Sequence, residues 1–225
     1  KNVELLLVTP QMQSLISGEK TEKETQVTLS EEDVPHWDDE YEFWDSNDVE
    51  FDGHVAHFHR IVMPMHTNDE KMANWLNELN VDAIVCSGSR RNVSIWEEWM
   101  GAASSLLRVA ALSGTPTLGI CFGHQLLCHA FGSQVERAAA ISSGLWDLEL
   151  TEEGEMDNLL TSHNNEGEAI VGVFSHQDHV MTIPENCTLL STAPHNQVTA
   201  VRVNDKDGRK LPAWGLQFHW VDSLS

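Results

Sequence analysis

Cys121 lies in a pattern that suits a nucleophile. It stands in G-I-C-F-G, after a short apolar run at 117–120 and before a helical pattern. A G-x-nucleophile-x-G turn holds its central side chain at the end of a strand in a strained backbone conformation that requires small neighbours. The N–H groups that open the following helix would lower the pKa of the thiol and could hold an oxyanion. The alternative is a core cysteine in a tight strand–helix turn.

A thiol nucleophile needs a base, and in such sites the base is a histidine distant in sequence. The chain contains 12 histidines. We favour His219, because it follows the apolar stretch 211–218, whose pattern predicts a strand. Because the carboxyl ends of parallel strands meet at one edge of an α/β sheet, we expect His219 to reach Cys121.

The elements that must position these residues alternate in the first half of the chain. Strands are predicted at 3–8, 55–63, 81–86 and 117–120, and helices at 69–79, 96–112 and 122–131. Short strands are predicted in the second half at 144–150, 169–174, 187–192, 197–203 and 213–218. We therefore predict an α/β fold with a flavodoxin-like, mostly parallel central sheet, helices on both faces and a few added antiparallel strands. We expect one domain over residues 1–225.

Several motifs in the right order resemble the class I glutamine amidotransferase family. The elbow G-I-C-F-G-H-Q is followed far downstream by W-G-L-Q-F-H, which ends at His219. The turn V-C-S-G-S at 85–89 resembles the family's S-G-G turn, and S-H-Q-D-H-V at 175–180 resembles its S-H-x-D-x-V segment. The resemblance covers roughly residues 81–219 and is far more specific than any single motif.

The resemblance implies a role for each matching residue. Cys121 would form a γ-glutamyl thioester and release ammonia, with His219 as the base. The backbone N–H groups of Phe122 and of Gly88 or Ser89 would form the oxyanion hole. The walls that hold the glutamine would be formed by Gln125, Ser175 and His176.

The sequence departs from the family pattern at two places. The family reads H-P-E where this chain reads His219-Trp220-Val221-Asp222, so a valine occupies the position of the glutamate that orients the histidine. Asp222, one residue later, is the candidate replacement. The turn after Ser89 continues with Arg90 and Arg91, which either bind a substrate carboxylate or face solvent.

Composition limits the classes of molecule that this chain can bind. The formal net charge of −22 argues against binding to nucleic acids or to anionic membranes. The four cysteines form no C-x-x-C pair or disulfide framework, which favours a reducing cytoplasm. His57 and His59 would share one face of a strand but have no acidic or cysteine partner at ligand spacing. We expect neither a metal site nor a cofactor.

Several functions remain open. The first is a glutamine amidotransferase that passes ammonia to an acceptor or to a synthetase subunit. The second is a γ-glutamyl hydrolase or peptidase on the same scaffold. The third is a catalytically weak regulatory relative, suggested by Val221. An α/β-hydrolase with a cysteine nucleophile shares the elbow and is less favoured, because that family requires an acid between nucleophile and histidine.

Overall fold

A computed structural model describes residues 2–10, 49–51, 54–162 and 169–220. The chain divides into two compact units, residues 1–65 and 66–225. Elements are numbered along the described residues. The prediction of a single domain stays a prediction.

The first unit contains a three-stranded sheet. Strand β1 (Asn2–Pro10) pairs in parallel with β3 (His54–Met63), and β2 (Val49–Phe51) pairs antiparallel to β3 on its other side. Parallel pairing requires a long connection between the strands, in agreement with the 43 residues that separate Pro10 from His54. The side chains of Leu5 and Val8 are more than one third exposed.

The second unit is built around a six-stranded sheet of order β4-β5-β11-β10-β9-β7. Its strands are β4 (Ile84–Cys86), β5 (Thr117–Ile120), β7 (Glu149–Leu150), β9 (Cys187–Ala193), β10 (Asn196–Asn204) and β11 (Lys210–Leu216). Strands β4, β5 and β11 pair in parallel, whereas β11, β10, β9 and β7 pair antiparallel. The α/β class and the central sheet are confirmed. The antiparallel share is larger than predicted, because short turns join β9 to β10 and β10 to β11.

Helices cover both faces of this sheet. The helices are α1 (Asp69–Leu79), α2 (Glu98–Ser113), α3 (Phe122–Ala130), α4 (Glu152–Glu155) and α5 (Asn158–Thr161). Met100, Leu107 and Leu126, on α2 and α3, pack with Ala213 of β11 on one face. On the other face the core contains Leu160, Phe174, Leu190, Leu216 and Phe218. Strand β11 alternates between these two cores, as a doubly covered strand must.

A third sheet carries the later motifs. Strand β8 (Val171–Val180) lies between β6 (Val135–Asp147) and the short β12 (His219–Trp220), all antiparallel. Residue His219 pairs with Val173 in this sheet. The end of β11 and the β8 motif are thereby brought to the same edge of the unit, where β5 also ends.

Candidate active site

The turn at Cys121 has the geometry of a strained elbow. Cys121 connects β5 directly to α3. Its backbone has φ 53° and ψ −102°, a positive φ that residues other than glycine rarely adopt. A Cβ on Gly119 would lie 2.5 Å from the carbonyl O of Gly123, and one on Gly123 would lie 1.9 Å from that of Cys86. Both positions therefore require glycine, because any larger residue would force β4, β5 and α3 apart.

Helix α3 is fixed against the sheet by a second close approach. A Cβ on Gly215 would lie 2.7 Å from Nδ1 of His124, which is fully buried and whose Nε2 lies 3.1 Å from the carbonyl O of Val198. Burial lowers the pKa of His124 to about 4, so this imidazole is neutral and acts as a packing group. The axis of α3, and with it the position of Cys121, follows from these contacts.

The thiol of Cys121 is buried, with 6% of the residue exposed. Burial raises its pKa, and a hydrogen bond from the backbone N–H of Phe122 opposes that rise. The sequence predicts the reverse direction, because position at a helix N-terminus is visible in sequence and depth of burial is not. The free chain therefore favours the neutral thiol, and attack requires a base close by.

The imidazole of His219 and the side chain of Cys121 both lie beside Gly88. A Cβ on Gly88 would lie 3.2 Å from Cε1 and 3.8 Å from Nε2 of His219, and 3.7 Å from the Cβ of Cys121. The sulfur itself is directed to the carbonyl O of Ser175, at 4.0 Å. The thiol and the half-buried imidazole thus flank one small space, which Gly88 leaves open.

The other residues predicted to contact the substrate differ in how deeply they are buried. Ser89 is exposed and its hydroxyl accepts a hydrogen bond from the N–H of Arg91 at 3.0 Å. The backbone of Ser175 faces the sulfur, as described above. Gln125 is 3% exposed, and its amide nitrogen donates to the carbonyl O of Asp178 (2.9 Å) and to Oε1 of Gln217 (3.0 Å). The amide nitrogen of Gln125 therefore contributes to the framework behind the site.

His176 belongs to a cluster of three imidazoles with His179 and His195. The ring centroid of His176 lies 4.8 Å from that of His179 and 5.8 Å from that of His195. Burial and these neighbours lower the pKa of His176 to about 4, so it is neutral near pH 7. Its Nδ1 donates to the carbonyl O of Asp178 at 2.8 Å. Within the described ranges, no group of three or more His, Cys, Asp or Glu side chains has the geometry of a metal site.

Asp222 lies outside the described residues, so its place beside His219 stays a prediction. A surface cavity of about 420 Å³ is lined by residues such as Val93, Trp96 and His129, and neither Cys121 nor His219 contributes to it. Among the helices described here, none is both long and apolar enough to cross a membrane.

The carboxylate of Asp178 is a prominent group that the sequence-based prediction missed. It is 1% exposed, and it accepts hydrogen bonds from both the N–H and the hydroxyl of Ser94, each at 2.7 Å. Asp178 is part of the S-H-Q-D-H-V motif, so the sequence indicates its position but assigns it no role. Its partner is 84 residues away and no sequence signal identifies it.

The chain is similar in sequence to proteins of one known family. The family model for glutamine amidotransferase class-I matches residues 53–220, more than half of the chain. The chain is 35% identical over 104 residues to one subunit of the glutamine-hydrolyzing GMP synthase of Methanothermobacter thermautotrophicus, covering 46% of this chain and 50% of that protein. It is 28% identical over 159 residues to the glutamine-hydrolyzing GMP synthase of Anaplasma marginale, covering 70% of this chain and 28% of that protein. The chain thus spans half or less of the length of these curated relatives.

Solved structures show the same fold at lower identity. A glutamine amidotransferase from Methylobacillus flagellatus superposes with a TM-score of 0.54 at 18% identity, covering 72% of this chain and 59% of that chain. A glutamine amidotransferase from Thermotoga maritima superposes with a TM-score of 0.52 at 16% identity, covering 96% of this chain and 75% of that chain. Since the family model spans more than half of the sequence, the chain belongs to the class-I glutamine amidotransferase family.

Proposed function

We propose that this protein hydrolyses the side-chain amide of glutamine through a γ-glutamyl thioester on Cys121. In the first step His219 takes the thiol proton while the sulfur bonds to the amide carbon. The carbonyl π electrons move to oxygen, and the N–H groups of Phe122 and of Gly88 or Ser89 stabilise the oxyanion. The C–N bond then breaks, and the nitrogen takes the proton from His219 and leaves as ammonia.

Hydrolysis of the thioester closes the cycle. A water molecule attacks the acyl carbon while His219 accepts its proton. The C–S bond breaks, the sulfur regains the proton, and glutamate leaves. The sum is glutamine plus water giving glutamate plus ammonia, with Cys121 and His219 restored.

The observation that carries the proposal is the convergence of Cys121 and His219 on the space above Gly88. A buried neutral thiol is a weak nucleophile until a base removes its proton. Here burial raises the pKa of Cys121, and the imidazole beside this space belongs to His219. The strained elbow at Cys121 further supports a chemical role, because backbone strain of this kind costs about 1–3 kcal/mol and clusters at functional sites.

The ammonia would pass to a partner. The relative from Methanothermobacter thermautotrophicus is named as one subunit of a glutamine-hydrolyzing synthase, which supports a separate acceptor protein for this chain as well. Both the acceptor and the cytoplasmic location are part of the proposal.

The second candidate is a γ-glutamyl hydrolase or peptidase, and Arg90 favours it. This residue follows Gly88 by two positions and is exposed, and no ion pair is assigned to it in the described part of the chain. A guanidinium so close in sequence to Gly88 can bind a second carboxylate, such as the one that the amino-acid leaving group of a γ-glutamyl compound carries and ammonia lacks.

Release of glutamate tests the proposal, measured on the chain alone and with cell extract that supplies a partner. We expect Cys121→Ala and His219→Ala each to lower kcat by about 10³-fold or more, and the double variant to be no worse, because the two groups act as a unit. Cys187→Ala is the matched control, since burial raises the pKa of Cys187 to about 12 and it lies on β9. If glutamate appears under neither condition from glutamine or from γ-glutamyl amino acids, the proposal fails and the regulatory alternative is favoured.

A further inference from the structure

Asp178 is a buried carboxylate with an unusual set of partners. Both of its oxygens are used by Ser94, which donates its N–H to one and its hydroxyl to the other. Within the described residues no lysine or arginine forms a salt bridge with it. Burying a carboxylate without a cationic partner is costly unless hydrogen bonds compensate, and here the N–H and the hydroxyl of Ser94 supply those bonds.

The bonds between Ser94 and Asp178 hold a loop in position. Ser94 lies in the segment 87–97 between β4 and α2, here called the oxyanion loop, which also contains Gly88 and Ser89. Two other backbone N–H groups of this loop, those of Arg91 and Ile95, donate to Ser89 and Asn92 and stay within it. The two bonds to Asp178 instead tie the loop to β8.

The same residue is tied to the nucleophile and to the strand of the base. The carbonyl O of Asp178 accepts from Nε2 of Gln125, one helical turn after Cys121, whose carbonyl accepts from the N–H of Gln125 at 3.1 Å. That Nε2 also donates to Oε1 of Gln217, two residues before His219. One residue of β8 therefore connects the oxyanion loop, helix α3 and the strand that leads to the imidazole.

We propose that Asp178 is a positioning residue that holds the oxyanion loop at a fixed distance from Cys121. It does not touch the substrate. Its carboxylate fixes Ser94, and Ser94 fixes the N–H groups of Gly88 and Ser89 relative to the sulfur. This inference rests on the proposed function.

The test compares Asp178→Ala with Asp178→Asn and Ser94→Ala. Asparagine can keep both bonds, because its oxygen accepts from the N–H of Ser94 and its NH₂ donates to the hydroxyl. We expect Asp178→Ala to lower kcat for glutamine by about 10²–10³-fold, the cost of losing an oxyanion donor, with KM changed less than about 3-fold. Asp178→Asn should keep kcat within about 10-fold, and Ser94→Ala should fall between the two.

Alkylation of Cys121 by iodoacetamide separates positioning from collapse, because this reaction forms no oxyanion. We expect its rate to change less than about 3-fold in all three variants. Equal loss of kcat in the alanine and asparagine variants, unchanged kcat in Asp178→Ala, or a parallel loss of alkylation would overturn the inference. If Asp178→Ala does not fold, Ser94→Ala decides: kcat equal to that of the unmodified chain overturns it.

Hydrogen exchange of the loop amides distinguishes failure of the inference from failure of the proposed function. Exchange at 87–92 should be faster in Asp178→Ala than in Asp178→Asn, whether or not the chain releases glutamate. Unchanged exchange in the alanine variant contradicts the tether. Absence of glutamate release by the unmodified chain contradicts the proposed function alone.

Discussion

A methyl group at Gly88 would enter the space between the thiol and the imidazole. Its carbon would lie 3.2 Å from Cε1 of His219, closer than the roughly 3.5–4.0 Å at which carbon atoms attract most strongly. The φ of Gly88 lies outside the left-handed region, so alanine fits the backbone without strain. In Gly88→Ala the imidazole must therefore yield, while the fold is retained.

The expected loss of kcat follows from the distance by which the imidazole is displaced. Relief of the contact moves the ring by about 0.3–0.8 Å. Because a misplacement of about 1 Å costs about 10²-fold, we expect kcat to fall roughly 4- to 40-fold, or about 1–2 kcal/mol of barrier. The free energy of unfolding should change by less than about 1 kcal/mol. Gly88→Val, with two more methyl groups in the same space, should lose more.

The assay is glutamate release, with thermal unfolding measured on the same samples. Gly101→Ala is the matched control, because a Cβ there would lie 3.1 Å from Cγ2 of Thr67, a similar crowding between helix α2 and the residues before α1. We expect this control to keep its kcat. Two results would refute the proposed displacement: Gly88→Ala keeps the kcat of the unmodified chain, or both alanine variants lose it to the same extent.

The described contacts support three further predictions. Because burial raises the pKa of Cys121 above its ordinary value of 9.0, the rate of its alkylation by iodoacetamide in the free chain should still rise between about pH 8 and 9.5; a plateau below about pH 8 would contradict this. Arg90→Ala should lower kcat/KM for γ-glutamyl amino acids by about 10-fold or more and leave glutamine unchanged; equal loss on both substrates would exclude the carboxylate subsite. Asp157 is 1% exposed and binds Arg202 at 2.9 Å, so Asp157→Ala should lower the free energy of unfolding, measured by urea titration, by about 3–5 kcal/mol. Exposed Asp207→Ala, the control, should cost less than about 1 kcal/mol, and equal costs would refute the difference.

Local signals in the sequence account for the elements of the first half of the second unit. Helix α1 begins and ends as predicted, because Asn68 caps it by accepting the N–H of Lys71 at 3.1 Å and Asn80 ends it in a left-handed conformation. The elbow was predictable for a similar reason, since Gly119 and Gly123 are dictated by close contacts with neighbouring backbone. In both places residue types within a short stretch of sequence indicate the local structure.

Strand β6 is an element that lacks such local sequence signals. The sequence predicts a strand at 144–150, but β6 begins at Val135 and ends at Asp147, with most of its side chains exposed. An exposed strand has no apolar alternation to reveal it, and its conformation comes from pairing with β8. The larger antiparallel share of the central sheet has a different cause, since β9, β10 and β11 were predicted as strands and their antiparallel pairing comes from the short connections between them.

The site was predictable in its residue types and less so in its electrostatics. Cys121 and His219 could be proposed because each follows a predicted strand. The direction of the pKa shift of Cys121 could not, since it depends on burial by the folded chain. The link from Asp178 to Ser94 crosses 84 residues, and only the folded structure brings these two together.

Cooperation between the thiol of Cys121 and the imidazole of His219 can be measured by mass spectrometry after incubation with a glutamine analogue that alkylates thiols. We predict that the peptide containing Cys121 gains the label far faster than the peptide containing Cys187, and that His219→Ala slows the labelling. Equal labelling of both cysteines, or a labelling rate unchanged by loss of the imidazole, would contradict the pairing of nucleophile and base.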